Sequence, residues 1–438
     1  MFNYYLRLAW KSLWATPVVT LLMLIAIALG IGSAMGTLTI YHLMSADPIP
    51  EKSAQLFAVQ LKSYDNKQSS WGMNDGYPLQ ITHQDAVNLS HSSVAVKQTP
   101  MVRTGFAVQT DNPDIAPILK SVRAANSDFF AMFNAPFAYG SAWDKNSDQQ
   151  ALEVTVIGAK LNQQLFGGGN NVGKILYFDQ KAFRIVGILQ AWQPTPQYYD
   201  VNNGAFRTGE QIFIPFALIA SNKYRSWGNN NSYKNEEVNT FDEKLVSESH
   251  WIQYWVELKN PQQKNAYQAY LKNYISQQKQ LGRFERDDAS ADLKNVTTWL
   301  TYNEVVSEDN NVLVGLSFLL LVVCLVNTVG LLLAKFLRRA PEVGVRRALG
   351  ASQTQVFLQH LVEVSLLGLT GGLLGILLAQ LGLWLLKNNY EQYQLLTDMD
   401  ITMLLTAPVL AIGSSIIAGL YPAWKICRTQ PAVYLKSQ

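Results

Sequence analysis

The sequence predicts a membrane protein, α-helical with four transmembrane helices, plus a large mixed α/β extracytoplasmic domain inserted between the first and second helices. Three observations predict it. Apolar residues concentrate toward the two ends of the 438-residue chain, and polar ones fill the middle. Four runs near the ends are long enough to cross a bilayer, which takes about 20 mostly apolar residues. Lys and Arg crowd some ends of those runs and avoid others. The averages of 48% hydrophobic, 15% charged and net charge +3 hide this segregation. No long basic or acidic tail is present, so nucleic acid is not expected as a partner.

Residues 1–17 mix Tyr5, Leu6, Trp10, Leu13 and Trp14 with Arg7 and Lys11. Aromatic and basic residues beside a span suit the headgroup interface, so a short interfacial helix is expected, turning near Pro17. The first span covers residues 18–45, with its apolar core at Val18–Leu43. That run exceeds the 7–15 residues usual for a signal-peptide core, and no A-x-A cleavage site follows it, so it reads as an uncleaved anchor. The outer domain covers 46–310, the second span 311–337, a cytoplasmic loop 338–358 and the third span 359–387. A short outer loop (388–400), the fourth span (401–424) and a tail (425–438) complete the chain. No span carries Lys, Arg, Asp or Glu in its centre, so the runs read as membrane spans rather than as buried core helices of a soluble protein. Gly32 and Gly36 in the first span, and Gly368, Gly372 and Gly375 in the third, are small residues spaced for close helix approach.

Orientation follows from the basic residues. Arg7 and Lys11 precede the first span, while Lys335, Arg338, Arg339, Arg346 and Arg347 lie between the second and third. Lys425, Arg428 and Lys436 follow the fourth. The turn between the third and fourth has only acids: Glu391, Asp398 and Asp400. All basic clusters share one side if both termini are cytoplasmic, which makes the middle domain extracytoplasmic. That domain has no cysteine, since Cys324 and Cys427 both fall in or beside spans. It needs an ordinary hydrophobic core instead of disulfides, and it is long enough to bury one.

Within the outer domain, Gln55–Lys62, Leu152–Ile157, Ile175–Phe178, Phe183–Leu189, Gln211–Pro215 and Trp251–Leu258 read as strands. Ala159–Phe166 and Asn265–Leu281 read as helices, and the Asn/Ser-rich stretch Ser221–Glu243 as an exposed loop. Gly168–Lys174 satisfies G-x-x-x-x-G-K, the core of a phosphate-cradling loop. Ile175 follows where a Ser or Thr should hold the metal, and a helix precedes where a strand is required. A glycine-rich turn is the better reading. Five histidines are scattered without metal-ligand spacing, and no G-x-S-x-G elbow exists. His360 and Glu363, one turn apart where the third span begins, read as a polar cap at the inner interface rather than a proton relay.

The stretch between the second and third spans has the marks of a short docking helix. Pro341 suits a first helical turn, and Glu342 complements the positive helix start. Arg346 and Arg347 put charge on one side, Val343, Ala348 and Leu349 offer apolar contact, and Gly350 can end the helix. A plain positively charged loop would not require the apolar and glycine positions to fall there.

Glu342-Val-Gly-Val-Arg-Arg-Ala-Leu-Gly-Ala-Ser352 resembles the cytoplasmic loop of MacB/FtsX-type ABC transporter permeases. Tyr421-Pro-Ala-Trp-Lys to Leu435 is similar to that family's C-terminal end. Val156 to Leu176, Phe183 to Leu189, Ala124 to Phe130 and Ile212 to Phe216 resemble its periplasmic core. The resemblance runs over essentially the whole chain. It implies a four-helix permease subunit of the bacterial inner membrane that pairs with a second permease subunit, identical or not. It makes residues Glu342, Val343, Gly344, Arg346, Arg347, Ala348, Leu349, Gly350, Ala351 and Ser352 the contact to a cytoplasmic ABC ATPase. Ala340-Pro341 departs from the charged residues usual there.

No Walker A, signature or Walker B segment is present, so ATP and Mg are expected on a partner ATPase, with no catalytic residue, cofactor or metal on this chain. The expected function is export driven by ATP hydrolysis on that partner and transmitted as shape change to the periplasmic domain. Membrane lipid, a periplasmic membrane fusion protein and an outer-membrane exit duct complete the implied partners. An FtsX-like regulatory permease and a lipoprotein-releasing permease share this architecture.

Overall fold

The computed structural model describes residues 2–64, 76–234, 236–389 and 401–428. They form two compact units: residues 46–305, and residues 1–45 together with 306–438.

Helix α1 (Phe2–Ala15) is amphipathic. Ala9, Ser12 and Leu13, three and four residues apart, are buried, while Tyr4, Trp10 and Trp14 are more than half exposed. Pro17 then opens α2 (Pro17–Ser45), a position where its missing N–H costs no helical bond.

The outer unit runs β1 (Leu56–Leu61), β2 (Ile81–Thr82), α3 (His83–Leu89), β3 (Lys97–Gln109), β4 (Ile118–Ala125) and α4 (Asp128–Met132). It continues through β5 (Phe137–Gly140), α5 (Lys145–Gln150), β6 (Val154–Ile157), α6 (Ala159–Phe166), β7 (Ile175–Phe178) and β8 (Lys181–Leu189). A 3-10 helix (Tyr198–Asn203), β9 (Ile212–Pro215), α7 (Leu218–Ser221) and α8 (Phe241–Val246) follow. β10 (His250–Glu257), α9 (Pro261–Gln280), β11 (Ala291–Asn295) and α10 (Val296–Tyr302) close it. The strands make one mixed sheet in the order β11-β1-β10-β3-β4-β9-β6-β8-β5, with β2 on β10 and β7 against β3 and β8. Only the β4–β9 and β6–β8 pairs are parallel among the described strands.

Both faces of this sheet are covered. Along β1, Phe57, Val59 and Leu61 enter a cluster with Tyr267 and Leu271 of α9. Leu56 and Ala58 enter another with Phe129, Trp255 and Trp299. The period of two sends alternate side chains to opposite cores. That double core is what stabilises a domain without disulfides; the two cysteines, both free, lie in the other unit.

Strands β3 and β4 escaped the sequence reading because charge interrupts their apolar pattern. Arg123 of β4 is fully buried and pairs with Asp200 and with Glu210 at 2.7 Å. Arg207 bridges the same two acids, at 2.7 Å each, and Gln253 of β10 donates to Asp200 at 2.7 Å. Burial opposes ionisation of Glu210, but Arg123 and Arg207 outweigh it and hold its carboxyl down at about 2. The stretch Ser221–Glu243 is also less loop-like than expected. It runs from the end of α7 into α8, pairs Asn231 with His250, and sends the Trp227 N–H to the Arg103 carbonyl at 2.9 Å.

The glycine-rich segment between α6 and β7 is a turn. Gly167, Gly168, Gly169 and Gly173 all have positive φ. The Asn171 side chain donates to Asn162 at 2.8 Å and to the Gly168 carbonyl at 2.9 Å, so the loop is tied up by its own residues.

Among the described residues, four further helices follow: α11 (Glu308–Arg338), α12 (Ala340–Ala348), α13 (Gln353–Asn389) and α14 (Ile401–Cys427). The predicted loop 338–358 is therefore mostly helical, and α14 runs past residue 424, so Lys425 is helical rather than part of a tail. Most of the expected turn at 388–400, with Glu391, Asp398 and Asp400, lies outside the described residues, as do Lys436 and Leu435.

Glycines let the bundle close. An added Cβ on Gly371 would lie 2.7 Å from Ile27 of α2, and on Gly375 3.0 Å from Ile31. On Gly368 and Gly372 it would lie 2.5 Å from Ser415 Oγ and 2.3 Å from Ala411 Cβ, both of α14. Two interleaved i, i+4 pairs on α13 thus serve two neighbours. Gly32 meets Gly375 and Leu378, but Gly36 meets nothing within 4 Å. The predicted Gly32/Gly36 pair is split within this chain. Gly30, which approaches Leu321 and Cys324 of α11, works beside Gly32 instead.

Candidate functional site

Arg339 ends α11 and flanks α12, which follows almost without a break. Pro341 in the first turn and Glu342 beside it start the helix as their chemistry requires. Gly350, at φ +104°, ends it: its N–H donates to the Arg347 carbonyl at 3.1 Å, and Ala351 donates to Arg346 at 3.1 Å. Ser352 then caps α13. Its Oγ accepts from the Gln355 N–H at 3.2 Å, and Gln355 Oε1 accepts from the Ser352 N–H at 3.0 Å, a reciprocal capping box.

The helix has two faces. Ala340, Val343 and Gly344 are buried, and Ala340 and Val343 join the apolar core of the bundle. Arg347 donates to the Cys427 carbonyl at the end of α14, at 3.1 Å. The opposite face presents Glu342, Val345, Ala348 and Leu349, the last 84% exposed. Arg346 pairs with Glu342 one turn back and donates to Gln359 of α13 at 3.2 Å. This redistributes the sequence reading. Val343 and Gly344 anchor the helix inward rather than offer outward contact, because they fall one turn from Ala340 on the same stripe. Val345, which that reading passed over, is on the exposed face.

Beneath α12 lies a buried polar cluster. Lys335 of α11 and Glu363 of α13 pair at 2.7 Å with side chains 0% and 1% exposed. The Ser12 hydroxyl donates to Glu363 and accepts from Arg339. His360 Nδ1 lies 3.5 Å from Glu363, and its ring sits 4.2 Å from that of Phe336. His360 and Glu363, read from sequence as a polar cap at the inner interface, are thus buried beside Lys335. The missed partner is Lys335, which in sequence looks like one more basic residue at a span end. The available signal was Glu363, a lone acid just inside an apolar run, where an intramembrane carboxylate calls for a partner. Among the described residues no group of three or more His, Cys, Asp or Glu is placed to hold a metal.

Residues 20–274 match the MacB-like periplasmic core domain family, and residues 314–431 match the FtsX-like permease C-terminal family. The chain is 24% identical, over 99% of its length, to 58% of the pyoverdine export ATP-binding/permease protein PvdT of Pseudomonas aeruginosa. It is 23% identical, over 82% of its length, to 48% of the macrolide export ATP-binding/permease protein MacB of Acinetobacter baylyi. It thus spans about half to three-fifths of the length of these curated relatives. The crystal structure of the periplasmic region of MacB from Actinobacillus actinomycetemcomitans covers 59% of this chain and 96% of its own, at 12% identity and a TM-score of 0.37. Among the described residues four helices are long and apolar enough to cross a membrane, with a large α/β domain between the first and second. With both family matches in that order, the chain belongs to the MacB/FtsX-type ABC transporter permeases.

Proposed function

We propose that this chain is the permease subunit of an ABC-type exporter and that α12 is its contact to a cytoplasmic ATPase. The observation that carries the reading is the division of α12 into an anchored face and a free one. Val343 and Arg347 fasten it to the bundle, and Leu349, at 84% exposure, stands out beside Val345 and Glu342. An exposed Leu next to a paired Glu–Arg on a short helix suits a protein partner better than water. Relatives named for pyoverdine and macrolide export support export as the task.

In this reading both termini and α12 are cytoplasmic, and the sheet domain is periplasmic. ATP and Mg are held by the partner. Closure of two ATPase subunits would move α12 in each of two permease subunits. Because α12 is fixed to α13 and α14, and α13 packs through glycines on α2, the motion passes through the bundle as a unit. α2 and α11 are continuous in sequence with the outer domain, which then changes shape and drives substrate toward an exit duct through a membrane fusion protein.

A photo-crosslinking residue at Leu349 in the full chain, in cells, tests the docking. The expected product is a covalent adduct with a protein carrying Walker A and Walker B segments, and Leu349→Asp lowers ATPase activity of the purified complex. An adduct with lipid alone, or undiminished ATPase activity in Leu349→Asp, overturns the reading. The Arg346→Ala/Arg347→Ala pair is a poorer probe, because both side chains also hold α12 to its own bundle.

A further inference from the structure

A half-open cavity of about 260 Å³ lies between α1, α12 and the start of α13. Lys11 and Ser12 of α1, Arg339 and Arg346 flanking and within α12, and His360 of α13 contribute to its wall. Glu342 is the only carboxylate among its described lining residues, and Arg346 pairs with it. Three permanent cations against one acid leave an excess of positive charge. Lys11 has no ion-pair partner among the described residues.

A wall that combines two guanidinium groups and an ammonium favours an anion with several acceptor oxygens.

The level of the cavity narrows the choice of anion. Trp10 and Trp14, on either side of Lys11 and Ser12, are 54% and 69% exposed. At the end of α14, Tyr421 and Trp424 are 51% and 47% exposed, with Lys425 and Arg428 lying over their rings. The Arg347 bond to Cys427 places that end of α14 beside α12. Exposed aromatics paired with cations mark headgroup depth, and basic pockets between helices at that depth suit lipid phosphates.

We propose that this cavity holds the phosphodiester of an anionic glycerophospholipid. Arg339 and Arg346 offer directional donors to its oxygens, and Lys11 supplies a charge that no carboxylate among the described residues neutralises. The excess positive charge disfavours headgroups that carry their own ammonium.

The full chain, purified in detergent and stripped of lipid, is titrated with short-chain phosphatidylglycerol, phosphatidylcholine of the same chains, and inorganic phosphate. Bound lipid is counted by native mass spectrometry, and the thermal midpoint is followed in parallel. One phosphatidylglycerol per chain is expected, bound at least about 10-fold more tightly than phosphatidylcholine. Lys11→Glu, an exposed position, keeps the lipid-free midpoint and lowers phosphatidylglycerol affinity about 10-fold or more; Arg346→Gln, which removes a guanidinium from the wall, lowers it independently. Equal binding of the two lipids overturns the proposal, as does unchanged affinity in both variants. Full competition by inorganic phosphate at the same concentration assigns the site to free phosphate and overturns the lipid assignment.

Discussion

Replacing Lys335 by Met leaves Glu363 as a buried carboxylate without its countercharge. The two groups are 2.7 Å apart with essentially no exposure. At that separation their attraction is about 6 kcal/mol for an effective dielectric near 20. Taking both ions from water costs several kcal/mol each, so the intact pair is close to break-even. Its disruption is not. Lys335→Met keeps the desolvation of Glu363 and loses the attraction, a cost of about 3–5 kcal/mol. The lower end applies here, because Ser12 and His360 stay beside the carboxylate. Lys335→Met/Glu363→Leu removes both charges and returns most of that stability. The assay is reversible unfolding of the detergent-solubilised full chain for the two single variants and the double variant. An interaction energy in this cycle below about 0.5 kcal/mol would mean a solvated pair, and the buried-network argument would fail.

Three further outcomes are expected. Gly372→Leu destabilises the bundle by about 1–3 kcal/mol or more through overpacking against Ala411, whereas Gly36→Ala is neutral or slightly stabilising, since its Cβ meets nothing; thermal midpoints in detergent decide. Burial pushes His250 down to about 4 from 6.5, so the folded state favours the neutral ring, and its contribution is complete above pH 6.5 and is lost as pH falls toward 4. That contribution is about 3 kcal/mol, and His250→Gln, which can still bond Ser63, should flatten the unfolding curve over this window; an identical pH profile would refute it. Arg123→Met leaves Asp200 and Glu210 with one fewer buried cation and costs the outer domain about 3–5 kcal/mol, read as faster hydrogen exchange across β4 and β9 in the full chain.

The parts of the fold that were legible in the sequence are those where one physical rule acts alone. Spans announce themselves by apolar length, and Ile175–Phe178 and Ala159–Phe166 match their predicted bounds because the glycine turn between them forbids continuation of either element. β3 and β4 were not legible. Lys97, Arg103, Lys120 and Arg123 break the alternation, and only tertiary partners such as Asp200 and Glu210, far along the chain, make Arg123 acceptable inside. The candidate site shows the same limit. Pro341, Glu342 and Gly350 act locally and were readable in order. The inward turn of Val343 and the pairing of Lys335 with Glu363 depend on which helix lies alongside, and no local rule carries that information.

The arginines around α12 show why positive charge at a span end says less than it seems to contain. A membrane sorts topology by the number of Lys and Arg, and it does not distinguish the two. The bundle does. Arg339 reaches Ser12 of α1, Arg346 reaches Gln359 of α13, and Arg347 reaches a terminal carbonyl of α14. Each is a directed bond from a planar fork that a flexible ammonium reproduces poorly. Arg347 also satisfies a carbonyl that a helix end leaves without an internal partner, and it sets a cation where the helix dipole favours one. Three charges that topology would accept as lysines therefore brace one short helix against three others. With Ala340 and Val343 packed into the apolar core below, α12 has little freedom to move independently of the bundle. A partner that pulls on its exposed face would move α13 and α14 with it, which is the mechanical requirement of a coupling element.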